Sequence, residues 1–150
     1  MIVKNIRNTF DDIILTTDVI VGFPGETEEE FNCTYEFLKK IKFYKTHVFK
    51  YSERKGTVAS KMPNKILPEE KEKRSNILIE LSDNNEKEYL KKYIGKKVKV
   101  LFEEEKNGFY QGHTDNFLLV KVKNSEDISN QIIEVIIEDI DKLELCGIVI

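Results

Sequence analysis

Hydrophobic positions along this 150-residue chain change their spacing twice, from strand and helix runs to one long polar stretch and then to short alternating runs. Ile2, Val3, Ile6 and Phe10 recur at helical spacing. Ile13, Ile14, Leu15 and then Val19, Ile20, Val21 form a β-branched run, the pattern of a strand covered on both faces of a parallel sheet. Gly22-Phe23-Pro24-Gly25 breaks it. Thr27 followed by Glu30 reads as a capping box, so a helix is predicted from about Glu28 to Lys42, with Phe31, Tyr35, Leu38 and Ile41 on one face. A second strand is predicted through Phe49.

From Pro68 to Tyr93 the spacing predicts a single long helix with a sparse apolar stripe of Ile77, Leu78, Leu81 and Tyr89, and Gly95 just past its end. Lys, Arg and Glu alternate along it, the pattern of a solvated connector. After Gly95 the period becomes two. Val98, Val100 and Phe102 lead to a turn at Lys106-Asn107-Gly108, then come Phe109 to Thr114, Phe117 to Val122, Ile132 to Ile137 and Leu143 to Ile150. Five short strands in so few residues predict a small closed barrel of the OB-like sort, which leaves no free edge. The fold class is therefore α/β plus all-β, with expected divisions at 1–67, 68–94 and 95–150.

The turn Gly22 to Glu26 is the first candidate for chemistry. A glycine turn at the carboxyl end of a parallel strand brings bare backbone next to whatever lies above the sheet. On composition alone, Gly22 and Gly25 need do no more than make a tight strand-to-helix connection.

The run Asp18-Val-Ile-Val-Gly-Phe-Pro-Gly-Glu-Thr27 resembles the fifth-strand segment of the radical S-adenosylmethionine (SAM) methylthiotransferases. Thr46 to Pro63, with Tyr51-Ser52, Arg54, Gly56-Thr57 and Met62-Pro63 in order, resembles the sixth-strand signature of the same family. Lys61 to Asn84 and Gly108 to Asn116 are most similar to the branch acting on threonylcarbamoyladenosine in tRNA.

The resemblance implies two strands and two helices of a radical SAM α/β barrel over 1–67, a connector helix over 68–94, and the RNA-binding barrel called TRAM over 95–150. It covers the carboxyl-terminal third of a full family member. In the complete enzyme it implies a 5′-deoxyadenosyl radical made from SAM, hydrogen abstraction at carbon 2 of the adenine and installation of a methylthio group there, at tRNA position 37. A second SAM supplies the methyl group. Gly22, Phe23, Pro24, Gly25 and Glu26 are then expected to line the SAM site, with Phe49, Tyr51 and Ser52 beside its adenine or ribose. Asp18 and Glu26 are the carboxylates of this region.

The family holds four-iron four-sulfur clusters, one of them on a Cys-x3-Cys-x2-Cys run. This chain has only Cys33 and Cys146, neither in ligand spacing, and both read as packing residues. The isolated chain is expected to be inactive in SAM cleavage, with a missing amino-terminal portion of the enzyme as its partner. Alternatively, the front piece is poorly ordered or pairs with a copy of itself, because a two-stranded remnant leaves residues such as Ile20 and Val48 without neighbours.

Charge divides the candidate RNA surface. Residues 95–150 carry 7 Lys and no Arg against 11 acids, a net of −4, where an RNA-binding barrel is ordinarily basic on one face. Lys50, Arg54, Lys55, Lys61 and Lys65, with only Glu53 expected to oppose them, form a basic cluster after the second strand that reads either as a phosphate contact or as a solvated loop. Phe109, Tyr110, His113 and Phe117 read either as base-stacking residues or as core. His47 and His113 are too isolated to suggest zinc.

No apolar run approaches the length of a membrane span, and a cytoplasmic, tRNA-bound protein is expected. The competing reading is a non-catalytic RNA-binding module carrying a remnant of the barrel, favoured by the missing cysteine triad.

Overall fold

The computed structural model describes residues 2–150. Its elements run α1 (Ile2–Thr9), β1 (Thr16–Val21), α2 (Glu28–Ile41), β2 (Lys45–Lys50), a 3-10 turn at Ala59–Lys61, α3 (Pro68–Leu90), a second 3-10 turn at Lys91–Tyr93, and then β3 (Lys97–Lys106), β4 (Phe109–Thr114), β5 (Leu119–Val122), β6 (Ile132–Asp141) and β7 (Glu144–Val149). The chain divides into two compact units, one comprising residues up to Ile6 with Ile14–Glu86, the other Arg7–Ile13 with Lys87–Ile150.

In the first unit β1 and β2 pair in parallel, Val19 opposite Val48 and Ile20 opposite Phe49. Val21, Phe31, Leu38 and Leu78 form the buried cluster, with Val19, Tyr35, Phe43, Val48, Ile77 and Leu81 packed on it. Helices α2 and α3 therefore cover the same face of the pair. The expectation of a strand covered on both faces is corrected here: β1 alternates, and Ile20 and Phe49 on the outer face are 56% and 53% exposed. Val48 is not left bare, because it points to the helical side.

Helix α2 begins with the full capping box, Glu30 N–H donating to Thr27 Oγ1 and Thr27 N–H to Glu30 Oε2. The solvated-face reading of α3 fails along one side. Arg74, Ser75, Ser82 and Glu86 are buried beside Leu78. Their partners explain it: Thr46 N–H donates to Ser82 Oγ at 2.9 Å, and Lys45 Nζ reaches Glu86 Oε2 at 2.5 Å and Asp83 at 3.4 Å. Burial pulls the Lys45 pKa down, but the Glu86 and Asp83 carboxylates outweigh it and hold the amine above its ordinary value.

The second unit is a closed five-stranded barrel in the order β3-β4-β5-β7-β6, parallel only between β5 and β7. Val100, Phe102, Leu118, Val120, Val122, Val135, Ile137 and Leu145 fill it. Gly112 lets β4 approach β3 closely: a Cβ there would stand 2.1 Å from the Leu101 carbonyl oxygen. The fourth predicted run is longer than expected, to Asp141, and the third starts at Leu119 rather than Phe117.

Candidate functional site

The tips of β1 and β2 stand side by side. Tyr51 N–H donates to the Val21 carbonyl at 2.9 Å, continuing the ladder one residue past β2, and the Phe23 and Tyr51 rings meet edge to face at 5.1 Å. Beyond Val21 the chain turns through Gly22 (φ 70°) and Gly25 (φ 88°), both in the left-handed region. Glu26 N–H closes the turn onto the Phe23 carbonyl at 2.9 Å, and Gly25 N–H is taken by the Asn64 carbonyl at 2.9 Å.

A buried ion pair bolts this turn to α3. Arg74 Nη1 lies 2.5 Å from Glu26 Oε2 and 3.1 Å from the Glu26 carbonyl, while its Nε meets Glu70 at 3.1 Å. The same Glu26 oxygen accepts the Gly22 N–H at 2.8 Å. Burial lowers the Arg74 pKa, but the hydrogen bonds it donates to Glu26 and Glu70 more than restore it, so the net displacement is upward. Lys71 completes the scaffold. Its stem fills the space a Gly22 Cβ would occupy, with Cγ at 2.3 Å from that position, and its Nζ donates to the Tyr51 carbonyl at 3.1 Å.

The candidate residues thus divide. Gly22 and Pro24 are buried, while Phe23, Gly25, Phe49 and Ser52 are exposed. The Glu26 carboxylate is committed to Arg74 and Gly22 and serves the scaffold. Open space surrounds the position of a Cβ on Gly25. The Tyr51 hydroxyl is buried with no hydrogen-bond partner among the described residues, which costs on the order of 1–3 kcal/mol and suits a polar group arriving from outside the chain. Neither Lys71 nor Arg74 was singled out from the sequence. The i,i+4 spacing of Glu70 and Arg74 was a local signal, whereas the contacts of Lys71 and Arg74 with residues of the glycine turn and the β2 tip depend on tertiary packing.

Of the basic cluster, two members are neutralised. Lys50 pairs with Glu72 at 2.5 Å and Lys65 with Glu53 at 2.6 Å, so Glu53 is not the sole opposing acid. Arg54, Lys55 and Lys61 are exposed and form no ion pair among the described residues.

On the barrel, Tyr110 points inward and is 9% exposed, so it belongs to the core and offers no stacking face. Phe109 and His113 are half-buried on the outer side of β4. Lys121 and Lys123 lie 5.8 and 5.1 Å over the Phe109 ring, and His113 Nδ1 is 3.0 Å from Glu103. Phe117 is 83% exposed.

The two cysteines lie on α2 and β7, in different units, and burial pushes the Cys146 thiol up. Among the described residues no three metal-ligating side chains cluster, and no helix is long and apolar enough to cross a membrane.

No protein-family model matches the chain. It is 40% identical over 137 residues, 88% of its length, to the threonylcarbamoyladenosine tRNA methylthiotransferase MtaB of Bacillus subtilis, covering 30% of that protein. It is 46% identical over 127 residues, 83% of its length, to the probable threonylcarbamoyladenosine tRNA methylthiotransferase of Methanocaldococcus jannaschii, covering 28% of it. Against the ribosomal protein uS12 methylthiotransferase RimO of Thermotoga petrophila the identity is 35% over 154 residues, 98% of this chain and 35% of that protein. The chain spans about a third of the length of the curated relatives it matches. Over most of its own length the chain is thus similar to the methylthiotransferases, and among them to those named for threonylcarbamoyladenosine in tRNA.

Proposed function

We propose that this chain forms part of a radical SAM methylthiotransferase that modifies carbon 2 of N6-threonylcarbamoyladenosine at position 37 of tRNA. Residues 1–67 contribute one wall of a SAM site, residues 68–94 the helix that braces it, and residues 95–150 a TRAM-type barrel that meets the RNA. The observation that carries this reading is the adjacency of the two strand tips, Tyr51 N–H on the Val21 carbonyl and Phe23 against Tyr51. Two segments that resemble separate family signatures thereby share one end of one sheet.

SAM, when bound, supplies the methyl group and the hydrogen-abstracting chemistry of the family. The chain's own residues hold and orient it. Gly25, without a Cβ and with open space before it, lets a ligand approach the backbone. The unpartnered Tyr51 hydroxyl provides a hydrogen-bonding group, and Phe23 and Phe49 provide exposed apolar surface. Pro24, buried, and Ser52, exposed, flank them. Glu26 holds the turn in shape. Cys33 and Cys146 do not fit a four-iron cluster, since two thiols are too few and no three metal-ligating side chains gather among the described residues.

Arg54, Lys55 and Lys61 are free to meet phosphates, with Lys50 available on release from Glu72. The test is binding of the chain to a tRNA carrying threonylcarbamoyladenosine, with and without alanine at Lys50, Arg54 and Lys55. Weaker binding by the variant and a shallower salt dependence support the reading. A chain with no measurable tRNA binding overturns it. Binding with no dependence on those three residues removes the basic loop from the RNA surface.

A further inference from the structure

The outer surface of the barrel carries charge and apolar area that its own folding does not use. Along β3, Lys97, Lys99 and Leu101 point outward while Val100 and Phe102 fill the core. Leu101 is paired with Ile132 of β6 on one side and His113 of β4 on the other, so an apolar pair on β3 and β6 is flanked by an imidazole on β4. Leu101 is 44% exposed and Ile132 70%. These residues, with Lys96 and Phe117, line a groove of about 710 Å³.

The charge in this groove is more positive than the acidic barrel as a whole. Three of its seven lysines stand between residues 96 and 99, and none of them forms an ion pair among the described residues. Lys96 Nζ lies 5.4 Å over the Tyr93 ring. Of the carboxylates facing the groove, Asp12 accepts hydrogen bonds from Tyr89 and Tyr93, and Glu103 is paired with His113, which leaves Asp115.

Phe117 is the most informative residue here. Its φ is +64°, a left-handed conformation in which a bulky side chain is disfavoured and which Gly or Asn adopts readily. Its ring is 83% exposed. The Thr114–Leu118 turn holds this backbone, Phe117 N–H donating to the Thr114 carbonyl at 3.0 Å, but nothing covers the ring, so a strained conformation and solvated aromatic surface coincide at one position on the groove. Such an outlier points to a role outside folding.

We propose that this groove binds one or two unstacked nucleotides of a single-stranded RNA segment, with Lys96, Lys97 and Lys99 on the phosphates and Phe117 stacked on a base. This rests on the reading of the barrel as an RNA-binding unit and gives that unit a surface. A single strand is specified because a ring can stack only on a base that is free of its helix. The net acidity of the barrel does not oppose it, since the positive charge is gathered at one mouth.

The test is fluorescence anisotropy of a labelled single-stranded oligoribonucleotide titrated with the full chain. Alanine at Lys96, Lys97 and Lys99 together weakens binding at least about tenfold and lowers the slope of log affinity against log salt by about 2. F117N weakens binding about fivefold or more with the salt slope unchanged. The same F117N raises the thermal unfolding midpoint, because Asn suits the left-handed backbone, so its loss of binding cannot be a loss of fold.

Wild-type affinity in either variant overturns this groove as the site while leaving RNA binding by the chain intact. Absence of binding by the wild-type chain overturns both readings. Equal competition by duplex RNA overturns the single-strand assignment.

Discussion

Arg74 and Glu26, 48 residues apart, meet at 2.5 Å in a buried pair that also captures the Gly22 N–H, so one carboxylate fixes both the glycine turn and its attachment to α3. The side chains are 5% and 14% exposed. Removing one partner of such a pair leaves a charge without compensation, which typically costs about 3–5 kcal/mol. Arg74→Ala is therefore expected to destabilise the first unit by that order, read as a fall in the urea midpoint. Arg74→Lys, which keeps the charge but loses the forked contacts to Glu26 and Glu70, falls between. An Arg74→Ala midpoint equal to wild type would show that the pair contributes nothing.

The two turn glycines separate strain from crowding. Both sit at positive φ, so alanine at either costs about 1–2 kcal/mol from backbone conformation alone. At Gly25 nothing else is met. At Gly22 the new Cβ lands 2.3 Å from Lys71 Cγ and displaces the side chain that holds the Tyr51 carbonyl. Gly22→Ala is expected to cost more than Gly25→Ala, and the excess shrinks when Lys71→Ala is added. Equal unfolding midpoints for the two single variants would remove Lys71 from the scaffold.

The helix start at Thr27–Glu30 was legible because a capping box is a local device, complete within four residues. The barrel strands were legible for the same kind of reason, since period two and Asn-Gly at 107–108 report backbone geometry directly. The buried side of α3 was not. Arg74 and Glu86 read as solvated, and only Glu26 from the glycine turn and Lys45 from β2 make their burial affordable. In the candidate site the turn was visible but its bracing was not, because Lys71 and Arg74 act at sequence distances of roughly 50 residues for which no spacing rule exists. Tyr110 was misplaced among possible stacking residues because Phe109, Tyr110 and His113 differ in which face of β4 they occupy, and burial follows that parity.

Gly112 provides a barrel-specific test. A Cβ there meets backbone atoms, the Leu101 carbonyl oxygen at 2.1 Å and Phe102 Cα at 2.6 Å, which cannot rotate away as a side chain does. Gly112→Ala is expected to cost about 1–3 kcal/mol or more through forced strand separation. Hydrogen exchange checks it: protection falls across β3 and β4, while the amides of β1 and β2 keep theirs. Loss of protection in β1 and β2 to the same degree would mean that the two units unfold as one.

Asp12 gathers the phenols of Tyr89 and Tyr93, and Asn116 Nδ2 adds a hydrogen bond to the Tyr93 oxygen at 2.8 Å. Burial first pushes both phenols above the ordinary value of about 10; after it come the hydrogen bond with Tyr93 and then Asp12 for Tyr89, and the Asp12 carboxylate for Tyr93. A group whose folded pKa is raised contributes stability that is present below its unfolded pKa and lost as pH rises through the folded one. The second unit should therefore hold its stability up to about pH 10 and lose it above, as these two phenols are forced to ionise beside a carboxylate. Tyrosinate absorbance should show part of the six-tyrosine signal titrating late, and Asp12→Asn, which tolerates the positive φ of 55° at that position, should bring it earlier. A titration of Asp12→Asn superimposable on wild type would mean that burial and the contact between the two phenols displace them, and the carboxylate would then have no part in the alkaline limit of the barrel.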